Sequence, residues 1–157
     1  MELMQTLILP CVYAFAACIG FSFVFNIHGK GTLICACGGG LGWLCYLLSA
    51  PLVQSDIVQS FLAAMAISAW SEGMARVRKC PVTSYLVVAL FPLVPGGGIY
   101  YSMRHAMNGD VDAFMNELMH TLGLAGALAV GVLVVASLVR IVTARRRPAV
   151  PAGGEDG

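Results

Sequence analysis

The stretch Phe91-Pro92-Leu93-Val94-Pro95-Gly96-Gly97-Gly98-Ile99-Tyr100 carries the most unusual chemistry of the chain, because it lies inside an uncharged run from Val82 to Met103. Pro92 and Pro95 each remove a backbone donor, and Pro92 disfavours helical geometry at Phe91. Gly96, Gly97 and Gly98 tolerate backbone conformations and close approaches that other residues do not. A helix through this run is therefore expected to unwind between Pro92 and Gly98. In lipid, unwound backbone leaves polar groups unpaired and persists only where protein or a water-filled cavity covers it. Broken transporter helices use this arrangement, with the N-terminus of the second half-helix facing an anionic substrate group. A second half beginning near Gly96 to Ile99 would offer N–H groups to a small carboxylate, such as that of an amino acid. The Tyr100 hydroxyl would follow about one turn later. The alternative is a plain proline kink in a packing helix, against which the density of disrupting residues counts.

Two further polar groups stand near apolar runs. Asn26 closes the first run, after Gly20-Phe21 and Phe25, and reads either as a helix C-cap or as a polar group of the site. Glu72 is the carboxylate inside a proposed span, and a carboxylate there is a candidate for proton coupling. Arg76 at i+4 offers the competing explanation of an ion pair. Cys11, Cys18, Cys35, Cys37 and Cys45 fall in apolar runs and Cys80 in a basic loop, so they read as small hydrophobes. Cys35 and Cys37 should face nearly opposite ways on a helix. His28, His105 and His120 sit at run edges without ligand spacing, so no metal site is expected. No cofactor is expected either. A nucleophile with a histidine, or a metal cluster at one depth, would mark an enzyme, and neither pattern occurs.

The elements that must position these residues follow from the composition. Hydrophobic residues make up 59% of the 157 positions and charged residues 11%. A soluble domain carries about a quarter charged residues, so the chain reads as an all-α integral membrane protein in a lipid bilayer. The net charge of +1 gives nucleic acid no purchase. Apolar runs predict five transmembrane helices, at 3–25, 31–50, 57–75, 82–103 and 118–139, the fourth broken at Pro92–Gly98. Period-two alternation is absent, which disfavours a β-barrel. Every Lys and Arg except Arg104 then falls on one side of the membrane. That asymmetry predicts an outer N-terminus and a cytoplasmic C-terminus. The start at Glu2 and the long first run read as a retained span rather than a cleaved signal peptide.

Residues 1–143 form one transmembrane domain on this reading, and 144–157 a basic, then disordered, cytoplasmic tail. Gly38 and Gly42, with Gly39 and Gly40, and Gly123, Ala127 and Gly131 have the spacing for close helix packing. Asp110 to Met119 is either an outer-surface segment or the first turns of the fifth helix.

Four pieces occur in order: Gly20-Phe21-x3-Phe25-Asn26, the glycine-rich start of the second run, Ala75-Arg76-x3-Cys80-Pro81, and Pro92-Leu93-Val94-Pro95-Gly96-x3-Tyr100. Together they resemble the small subunit of the threonine/serine exporter family, the half also found as the C-terminal part of single-chain exporters. The resemblance spans roughly residues 5 to 143, and its most specific piece is Pro-Leu-Val-Pro-Gly. It implies ion-gradient-driven export of small hydroxy amino acids, or of a related small carboxylate, across a bacterial inner membrane. It also implies a larger membrane subunit as partner. The competing class is a non-transporting assembly or scaffold protein, which would need close-packing faces but no unwound segment.

Overall fold

The computed structural model describes residues 8–145, which are helical, with no strand among them. In chain order the helices are α1 (Leu9–Val24), α2 (Lys30–Ser49), α3 (Asp56–Arg78), α4 (Val82–Leu90), α5 (Gly96–Met107) and α6 (Val111–Arg145). A single 3-10 turn, Phe91–Leu93, follows α4. The first residues of the expected first span and the expected tail from 146 onward lie outside the described residues. Pro10 falls in the first turn of α1, where its missing N–H costs little, rather than kinking the middle of a helix. The segment after Asp110 is the first turns of α6, with the Asp110 carboxylate accepting from the Ala113 N–H at 3.1 Å.

Two helices, α2 and α6, are long and apolar enough to cross a membrane. The pair on either side of the break adds a third if it is one span. The expected count of five is larger by two: α1, as described, has only 16 residues, and α3 is polar along its length. That helix has 23 residues, enough for a crossing, but it carries Gln59, Ser60, Ser68, Ser71 and Glu72. Gln59, Ser60, Ser68 and Ser71 are buried between helices, so the polarity of α3 faces protein and not the surroundings.

Glycines set how closely the helices approach. A Cβ on Gly131 of α6 would lie 2.8 Å from the Phe61 carbonyl oxygen and 2.9 Å from the Ala64 Cβ of α3. A Cβ on Gly38 of α2 would lie 3.0 Å from the Trp70 ring of α3, and one on Gly42 would collide with Ile67. Thus α3 is held from two sides by glycine faces, where backbone proximity supplies van der Waals contact. Gly39 takes Cys18 of α1 in the same way. Cys35 is buried and Cys37 exposed, as their spacing predicts.

Polar ties mark both ends of the α3–α6 contact. At one end His120 Nε2 lies 4.0 Å from Asp56 Oδ2. At the other, Arg76 Nη2 donates to Thr143 Oγ1 at 2.7 Å.

Candidate functional site

The break is short. After the 3-10 turn the Val94 N–H donates to the Phe91 carbonyl at 3.2 Å, and Val94 itself is extended (φ −61°, ψ 128°). Pro95 follows at φ −76°, ψ 60°, and α5 starts at Gly96. The axes on either side differ by 53°. Only Val94 and Pro95 leave helical structure, so the unwinding expected from Pro92 to Gly98 is narrower than the composition implied. Pro92 fits the 3-10 turn because its ring needs only the usual φ there and its absent N–H is not called for. The three glycines form the first turn of α5, and none has a positive φ.

Depth follows from the neighbours. Leu93 packs with Ile67, halfway along α3, and lies 3.7 Å from the Cβ position of Gly42. The chain therefore breaks at mid-depth of the bundle. From there α5 runs along the first turns of α6, and its first turn meets Thr121. Gly98 has a steric reason to be glycine, since a Cβ would collide with the Thr121 side chain. Gly96 and Gly97 face open space, with nothing within 4 Å of a Cβ at either position.

The N-terminal turn of α5 leaves donors available. Gly96 N–H bonds the Val94 carbonyl at 2.7 Å, and Ile99 N–H makes the first helical bond, to Pro95, at 3.3 Å. Gly97 and Gly98 N–H donate to no backbone carbonyl among the described residues. Gly97 is exposed, so its N–H opens toward the surroundings together with the positive end of the helix dipole. Tyr100, 65% exposed, stands on the outward face of the next turn against Tyr101.

The break is braced by aromatic rings. Phe91 stacks on Phe21 of α1 at 4.3 Å and meets Phe25 at 5.7 Å. This contact explains the paired Phe21 and Phe25 at i,i+4, which sequence spacing alone left without a partner.

Asn26 is the αL residue ending α1 (φ 57°). Its N–H donates to Phe23 at 3.1 Å and that of Ile27 to Ser22 at 2.8 Å, the paired bonds of a Schellman cap. Its neighbours Phe25 and Ile27 line a cavity with Thr83, Ser84 and Val87, at the start of α4. Asn26 is therefore not brought to the glycines of α5. Glu72, with its side chain 17% exposed, lies 4.0 Å from Arg76 Nε, so the carboxylate has its cation in place. By helical rise, Glu72 is about 24 Å along α3 from Asp56.

Of the residues read from sequence, then, Pro92, Pro95, Gly96, Gly97, Gly98 and Tyr100 share one locale, while Asn26 and Glu72 lie elsewhere. A family model described as Threonine/Serine exporter, ThrE, matches residues 10–138. The chain belongs to the threonine/serine exporter family. The match runs from α1 nearly to the end of α6 and includes the whole break. No curated protein and no solved structure gives a match. Membership of the exporter family points to a membrane transport protein. Two contacts of this exporter chain escaped sequence reading, Thr121 on Gly98 and Asp56 beside His120. Both join positions far apart in sequence, and no local pattern announces them.

Proposed function

We propose that this chain is the small membrane subunit of a secondary transporter that exports threonine, serine or a related small carboxylate across a bacterial inner membrane. The observation that carries the reading is the exposed N-terminal turn of α5, opening from a helix broken at mid-depth, in a member of the threonine/serine exporter family. The substrate carboxylate would accept from the N–H groups of Gly97 and its neighbours Gly96 and Gly98. Pro92 and Pro95 hold the bend, and Tyr100 lies one turn on. Asn26 acts as a cap and stays outside this set. Glu72, beside Arg76, is the coupling candidate at the opposite end.

The chain would cross five times, with its N-terminus outside and its C-terminus in the cytoplasm. The fourth crossing is α4 and α5 together, and α3 crosses despite its polarity because α2, α4 and α6 cover it.

A larger membrane subunit is part of this reading for an energetic reason. A helix N-terminus attracts an anion by about 0.3–1 kcal/mol when exposed and up to about 2 when partly buried. Even millimolar binding needs about 4 kcal/mol. Among the described residues nothing lies within 4 Å of a Cβ at Gly96 or Gly97, so a second subunit would supply the remaining contacts. The test is threonine and serine efflux from cells expressing the chain alone and with its larger partner. Efflux is expected only with both, and full efflux from this chain alone would refute the two-part reading.

A further inference from the structure

We propose that Asp56 and His120 form a proton-operated latch controlling the outer half of α6 and, with it, the half-helix α5. The part concerning α5 rests on the substrate site proposed above.

Among the described residues, the two acid–base pairs within 4.0 Å are unlike in kind. Glu72–Arg76 lies within α3, and the same arginine reaches across to Thr143 of α6. Asp56–His120 directly joins α3 to α6 at the opposite end. Arginine stays charged at any pH a cell meets. Imidazole is the side chain that ordinarily changes charge between roughly pH 5 and 8. Of the two ties, therefore, one is permanent and the other responds to protons.

The neighbourhood supports this division. On α6, Glu117 lies one turn before His120. Tyr46 of α2 lies near Asp56. Helix α5, packed on the start of α6, carries Tyr100, Tyr101, Arg104 and His105. Within this set only His105 shares the chemistry of His120, and it sits in the last turn of α5. Both members of the pair are about half exposed, so protons reach them from the water at that end.

The mechanical link is next to the latch in sequence. Thr121, adjacent to His120, is the residue that fills the place a Gly98 side chain would take. Because α5 packs chiefly on α6, the first turns of α6 and the N-terminus of α5 move together. The α3–α6 seam combines glycine contacts, Gly123 on Ile57 and Gly131 on Ala64, with Leu128 of α6 clustered on Ala63, Ala64 and Ile67 of α3. With His120 protonated, its attraction to Asp56 holds α6 against α3. With the imidazole neutral, that attraction is lost and the outer end of α6 is released, carrying the Gly96–Gly98 turn with it. His120 is on this view a positioning residue and does not touch substrate.

The test uses spin labels on genetically introduced ketone residues at Val58 and Met119, in the full chain with its native cysteines, assembled with its partner in liposomes. The expected result is a short label distance at pH 5.5 that lengthens at pH 8. His120→Arg should hold the short distance at both values, and His120→Gln and Asp56→Asn should abolish the pH response. His105→Gln should leave it as in the wild type. A wild-type distance that ignores pH overturns the latch, as does a response retained in His120→Gln and Asp56→Asn. In the same liposomes, the dependence of threonine efflux on external pH should be lost in His120→Gln. If the wild-type complex moves no threonine or serine at all, the transport reading fails, while the label distances still decide the latch.

Discussion

The seam between α3 and α6 and the first turn of α5 are both built of glycine, yet the two regions use it oppositely. Along the seam the missing side chains are replaced by a neighbour, so that a Cβ on Gly131 would meet both backbone oxygen and a methyl group below 3 Å. At Gly96 and Gly97 the missing side chains are replaced by nothing. Glycine in the seam serves packing. Glycine at the start of α5 instead leaves the backbone of the first turn open to the surroundings. Gly98 stands at the boundary, one face filled by Thr121 and its carbonyl accepting from Ser102 Oγ at 2.7 Å.

Four substitutions probe this contrast. The largest loss of folded protein is expected from Gly131→Val, because the contacts at 2.8 and 2.9 Å involve backbone and a short side chain that cannot swing away. Overpacking of this kind costs about 1–3 kcal/mol, and it would appear as a lower midpoint in detergent-denaturant titration. Gly97→Val should give a normal midpoint but lower threonine efflux about tenfold, a loss of about 1.4 kcal/mol. If it transports at the wild-type rate, the open glycines are only part of a kink and the contrast fails. Glu72→Gln removes a paired carboxylate whose ion pair is worth a few tenths of a kcal/mol. Stability should barely change, while the dependence of efflux on internal pH should flatten if Glu72 couples. A rate and profile both equal to wild type would leave Glu72 as Arg76's partner alone. Asn26→Gly should be nearly silent in both assays, because glycine takes the αL conformation at least as readily. A loss of efflux with an unchanged midpoint would return Asn26 to the substrate site.

How far the sequence disclosed this arrangement depends on the range of the interaction involved. Helices, the break and the packing glycines were legible because apolar runs, prolines and i,i+4 spacing are local properties. The extent of the break was not. Three adjacent glycines read as unwound backbone, but α6 gives α5 a surface to pack on, and that contact lets the glycines remain helical. The segment 57–75 was legible as a span because it lacks charge up to Glu72, but hydropathy does not say that its polar residues avoid lipid. Gln59, Ser60, Ser68 and Ser71 face neighbouring helices instead. Asn26 was legible as one of two possibilities, and its φ of 57° with the Schellman bonds shows that its backbone forms the cap.

The length of α6 has a mechanical consequence. Its 35 residues rise about 52 Å, against a hydrocarbon core of about 30 Å. The close contact at Gly131 lies 20 residues from its first residue, an arm of about 30 Å. A rigid rod pivoting there would multiply small rotations, so that a tilt of about 10° sweeps its first residue through about 5 Å, the rise of one helical turn. Such leverage means that gating at the tip requires almost no rearrangement at the fulcrum, and the tightly packed centre can stay intact while the periphery travels.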